Sequence, residues 1–128
     1  VEALRTGEAG ALAAGIAALA ALEAGDAVAA RGVFLAERYG DSLACAVSSA
    51  AQAGVFTAEN DPAQALQASG WALDELGHLP QWAQNEPLRH RLLVAVADAL
   101  DKAAENADTE MQATVTRLRT KLERLTQA

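Results

Sequence analysis

Cysteine, proline and aromatic residues are all scarce in this chain of 128 residues. Cys45 is the only cysteine, which excludes an internal disulfide and any zinc site built on paired thiolates. Flanked by Ala44 and Ala46, it reads as a small buried hydrophobe in a reducing, cytoplasmic setting. Aromatic residues are 4% of the chain, so the core cannot be a thick aromatic one. No segment alternates apolar and polar residues with β-branched enrichment, and no sheet is expected. No long apolar run exists either. Residues 9–24 are rich in Ala, bounded by Glu8 and interrupted by Glu23, and they fall short of the ~20 strongly apolar residues of a membrane span. A surplus of positive charge is also missing. At −7 overall, the chain lacks the basic face that free nucleic acid requires.

What is abundant is alanine, with 33 residues. Alanine is the best helix former and lets helices approach closely, so tight helix-on-helix packing is expected. The large packing residues are the leucines and valines with Ile16, Phe34, Tyr39, Phe56, Trp71 and Trp82.

The expected fold is an all-α bundle of five or six helices in a single domain spanning residues 1–128, with short helices over 8–77 and a long C-terminal helix over 87–127. The first helix covers about 8–24 and stops at Gly25. Asp26 caps a second over 27–39. A third covers 42–53 and closes at Gly54. Asn60-Asp61-Pro62 starts a fourth, over 62–77. After Gly77 and Pro87 no helix breaker remains. Leu93, Ala97, Leu100, Ala104, Ala107, Met111, Val115, Leu118, Leu122 and Leu125 then recur at steps of three and four. That phase fits one continuous helix of roughly 60 Å. Asn106, Asp108 and Thr109 are its weakest point and could cap a separate sixth helix.

A helix of that length overhangs a compact domain of about 30 to 35 Å. Val115, Leu118, Leu122 and Leu125 then form an exposed, coiled-coil-like seam for a protein partner or for a second copy in a homodimer. Arg117, Arg119, Lys121 and Arg124 beside it, against Glu123 alone, suit the helix C-terminus and would select an acidic partner. Trp82, in the loop before the helix, is a second candidate anchor. The competing reading is a small-molecule pocket between helices using Trp71, Trp82, His78 and Phe56.

Catalytic and metal chemistry find little support. His78 and His90 have no ligand spacing with Asp74 or Glu75. Nothing pairs Cys45 with a base, the serines lie outside any nucleophile elbow, and no phosphate-binding loop occurs. The expectation is a non-catalytic interaction module (a scaffold, adaptor, chaperone or secretion-associated helper) that needs no cofactor.

Two local resemblances point the same way. Gly25-Asp26 with Ala30 recurs as Asn60-Asp61 with Ala65, an offset of 35 residues. This resembles the second helix of a tetratricopeptide repeat, a family of stacked helical hairpins with a period of about 34 residues. Phe34 sits where that family often has an aromatic, although the first-helix pattern of Trp, Leu-Gly and Tyr is missing. The resemblance implies a helical-repeat regulator with a concave surface lined by the first helix of each hairpin. Leu79-Pro80, Trp82, Arg89, Leu92-Leu93, Ala99-Leu100-Asp101, Ala103 and Glu105 resemble part of the helical gatekeeper domains of type III secretion systems. That resemblance implies a regulator which binds other proteins.

The exposed seam is testable by Leu118→Asp combined with Leu122→Asp. If the seam is free, association is lost and circular dichroism still shows folded N-terminal helices. Melting of the whole domain would make those leucines core.

Overall fold

The computed structural model of the chain describes residues 8–32, 42–79, 87–105 and 107–127. The described residues form an all-α bundle of six helices: α1 Glu8–Glu23, α2 Ala27–Gly32, α3 Ser42–Ala58, α4 Pro62–Leu76, α5 Pro87–Glu105 and α6 Thr109–Gln127. None of them is long and apolar enough to cross a membrane. Phe34, Tyr39 and the expected second half of α2 lie outside the described residues, as does Trp82.

The helices form three successive hairpins, α1–α2, α3–α4 and α5–α6. The first two reversals share one geometry. Gly25 and Asn60 take positive φ, 83° and 60°. Their N–H groups donate back to Leu22 and Thr57 at 3.0 and 3.1 Å. The following aspartates donate to Ala21 and Phe56 at 2.8 and 2.9 Å, closing a Schellman motif. The same aspartates then cap the next helix. Asp26 Oδ1 accepts from Ala29 N at 3.0 Å and Asp61 Oδ1 from Gln64 N at 3.3 Å. The 35-residue sequence repeat is therefore a repeated turn.

The third reversal corrects the expectation of one unbroken C-terminal helix. α5 ends at Glu105 and α6 starts at Thr109. Asp108 Oδ1 accepts from Met111 N at 2.9 Å, and Gln112 Nε2 reaches back to the Ala104 carbonyl at 3.1 Å. A continuous helix would leave its last leucines in water. Doubling back puts Val115 and Leu118 into the core, at 1% and 2% exposure. Arg89 Nη2 then donates to the Leu125 carbonyl at 2.7 Å, tying the start of α5 to the end of α6.

Helices of successive hairpins stack in parallel, with glycine facing a large side chain. A Cβ on Gly15 of α1 would lie 2.7 Å from Val47 Cγ1 of α3, and one on Gly54 of α3 would lie 2.6 Å from Leu22 Cδ1 of α1. Both partners advance by seven residues, so α1 and α3 run in the same direction. Gly54 is thus a close-approach residue and not the expected stop; α3 continues through it to Ala58. The same spacing recurs where Gly70 and Gly77 face Leu118 and Leu125, which makes α4 and α6 parallel as well. α5 packs on α3 and α4 together. Leu19, Val47, Leu73, Leu76, Leu92, Val96, Leu100, Val115 and Leu118 form one continuous core across the three hairpins.

This packing fixes two stability outcomes measurable by urea unfolding. Gly15→Ala forces a methyl against fully buried, β-branched Val47 and costs about 1–2 kcal/mol despite its gain in helix propensity. Leu118→Asp places a charge in the core, costs more than about 4 kcal/mol and melts the whole domain.

Candidate interaction groove

α1 and α5 each pack on α3 but make little direct contact with each other. Between them lies a groove of about 370 Å³. Its floor is Leu19 and Leu22 from α1, Gly54 and Ala58 from α3, and Ala95 and Ala99 from α5. The small residues at 54, 58, 95 and 99 keep the floor low, and the leucines make it apolar. Val94 rises on the α5 side at 46% exposure, which is high for a β-branched hydrophobe. Among the described residues, Val28 on α2 is the other large hydrophobe left in water.

Charged side chains mark the ends of the groove. At one end Arg91 Nη2 and Nε donate to Glu23 Oε1 and Oε2 at 2.6 and 3.0 Å. This two-pronged pair links α5 directly to α1. The Arg91 hydrogen bonds, opposed by burial and reinforced by charge attraction, hold the Glu23 carboxyl below its ordinary value of 4.5. The same bond raises the Arg91 guanidinium. Further along α5, Asp98 and Lys102 line the groove, and Lys102 also reaches Glu105 at 3.9 Å.

The residues singled out for association are distributed differently. Val115 and Leu118 are core, and Leu122 and Leu125 are partly buried against that core. The apolar contacts assigned to a partner are made within the chain, because α6 turns back. Arg119 pairs with Asp101 of α5 at 2.9 Å, and Lys121 pairs with Asp74 of α4. These two cations pin α6 to both neighbours. Arg117 and Arg124 are exposed and make no ion pair among the described residues.

Trp71, Phe56 and His78 do not share a pocket. Trp71 is partly buried against Ala53, Ala68 and Ala99. Phe56 lies under the Arg31 guanidinium, whose carbon is 5.9 Å from the ring centroid. His78 is exposed, and its Nδ1 donates to the Asp74 carbonyl at 2.6 Å beyond the end of α4. Cys45, expected to be buried, is half-buried.

The groove was not anticipated from the sequence, although one signal for it is there. Arg91, Val94, Ala95, Asp98 and Lys102 form a second stripe at helical spacing, off the core-facing stripe of α5. A valine in that charged stripe marks a face that is not simply solvated. Comparison of the chain with protein-family models, curated proteins and solved structures returns no match.

Because the folded Glu23 pKa lies below its unfolded value, the Glu23–Arg91 pair stabilises the fold above the ordinary carboxylate range. That contribution is lost as pH falls below 4.5. Both side chains are more than a third exposed, so Arg91→Gln costs less than about 1 kcal/mol at neutral pH and low salt. Urea unfolding at several pH values should show this difference shrink in acid and in high salt.

Proposed function

We propose that the chain is a non-catalytic helical interaction module that receives an amphipathic helical segment of a partner protein in the groove between α1 and α5. The observation that carries this reading is the apolar groove with half-exposed Val94 on its wall. The groove lies on the face shared by the first helix of all three hairpins. Between Arg91 and Lys102 it runs for roughly 16 Å along α5, about three helical turns. Its leucine, valine and alanine surface matches apolar side chains spaced three, four and seven residues apart on a partner helix. Glu23, Arg91, Asp98 and Lys102 offer both signs of charge at its ends, favouring a segment whose flanks carry both signs as well.

The reading keeps the expected class, a non-catalytic helical interaction module, and moves the apolar contact from α6 to the groove. Two facts support the move. The α6 leucines are engaged in the core, and the groove wall keeps a hydrophobe in water. A small-molecule pocket on Trp71, His78 and Phe56 has no comparable support, since the three side chains lie in different places.

Two substitutions test the groove without disturbing the core. Val94→Glu puts a charge on its wall. Gly54→Ala pushes the flexible end of Leu22 into it, and its gain of about 1 kcal/mol in helix propensity offsets the shift, leaving stability near that of the parent chain. Peptides selected from a displayed library of amphipathic helices should bind the parent chain and perturb amide resonances at Leu19, Leu22, Val94 and Ala95. Each substitution should weaken binding at least about tenfold, or 1.4 kcal/mol. A library yielding no binder, or binders indifferent to both substitutions, contradicts the proposal.

A further inference from the structure

A second groove, of about 420 Å³, runs between α4 and α6. Leu66, Gly70 and Leu118 form its floor, and Trp71 and Met111 flank it. Gly70 keeps the floor open: the nearest side-chain atom to a Cβ built there is Leu118 Cδ2, at 3.7 Å. Two charges of opposite sign line it on the α6 side, Glu110 and Arg117. They are seven residues apart on one face of α6, and both are exposed. Neither makes an ion pair among the described residues, whereas Arg119 and Lys121 nearby are both paired within the chain. Between them lie Ala113 and Thr114, small enough for a second helix to cross closely.

From this arrangement we propose that the α4–α6 face binds a second copy of the chain about a two-fold axis passing near Ala113 and Thr114. A two-fold interface is self-complementary: whatever contact one residue makes is made again in reverse. With the two α6 helices antiparallel, Glu110 faces the partner's Arg117 and Arg117 faces the partner's Glu110. Charge complementarity selects this occupant. An acidic peptide satisfies Arg117 but meets Glu110, and a basic one satisfies Glu110 but meets Arg117. A second copy supplies both signs at the required spacing in the required order. With Arg119 and Lys121 paired to Asp101 and Asp74, α6 is left with Arg117 and Arg124 against Glu110 and Glu123, a balanced surface on a chain at −7 overall. The surface is separate from the α1–α5 groove, so either proposal stands or falls without the other.

Sedimentation equilibrium on the full chain tests it. A reversible dimer is expected, weaker at high salt. Glu110→Arg and Arg117→Glu change exposed side chains, so circular dichroism should show both variants folded. Each reversal acts twice in a two-fold dimer and should weaken it by at least about tenfold. The decisive arm mixes the two variants. Glu110→Arg has two cations on its rim and Arg117→Glu has two carboxylates, so the mixture should form a heterodimer although neither variant dimerises alone. The double variant should regain self-association. A monomeric full chain, a dimer indifferent to either reversal, or a mixture that stays monomeric each overturns the proposal.

Discussion

Close approach between parallel helices, with glycine on one and a large aliphatic side chain on the other, is the constraint on which the rest of this structure depends. A chain with 33 alanines and 4% aromatics has few side chains that can reach across a wide gap, so its helices must come near. Gly15 against Val47 and Gly54 against Leu22 do this for α1 and α3; between α4 and α6, Gly70 and Gly77 meet Leu118 and Leu125 at ordinary van der Waals distance. Each pair of contacts repeats after seven residues, two helical turns, which fixes direction and register together. The interior that results is built from Leu, Val and Ala packed at short range, with single methyl groups deciding fit.

Aspartate supplies the other recurring device. At 26, 61 and 108 its side chain accepts an N–H three residues ahead and starts the second helix of a hairpin. Three such reversals turn a helix-rich sequence into stacked hairpins. The stacking has a consequence for binding. First helices gather on one face and second helices on the other, so each face acquires grooves between parallel neighbours. The α1–α5 groove is apolar with charged ends; the α4–α6 groove has a glycine floor and charges beside it.

Much of this fold was legible in the sequence, and the reasons for the misreadings are physical. Gly25-Asp26 and Asn60-Asp61-Pro62 announced their turns because left-handed backbone and N-capping demand those residue types. Asp108 and Thr109 marked a weak point that could cap a sixth helix, but the unbroken hydrophobic phase masked the reversal. Periodicity reports which face of a helix is buried, not what buries it. Ala104, Met111 and Val115 keep one phase because α5 and α6 both face the same core. Gly54 was misread for a related reason: glycine serves equally as a helix stop and as a point of close contact, and the contact, Leu22, lies 32 residues earlier in the chain. Of the candidate site residues, the cations at 119 and 121 could not be assigned from spacing, since their carboxylate partners lie on other helices. Val94 stood in plain view but off the core stripe.

α6 belongs to the core and is not an overhanging helix, and that placement is open to direct test. Thermal unfolding of a chain ending at Ala107, followed by circular dichroism beside the full chain, tests it most directly. Removing α6 uncovers Leu66, Leu73, Leu76 and Leu100 in the shared core, and the account predicts loss of the cooperative transition. A shortened chain that stays folded, with a transition as sharp and as high as that of the full chain, would contradict it.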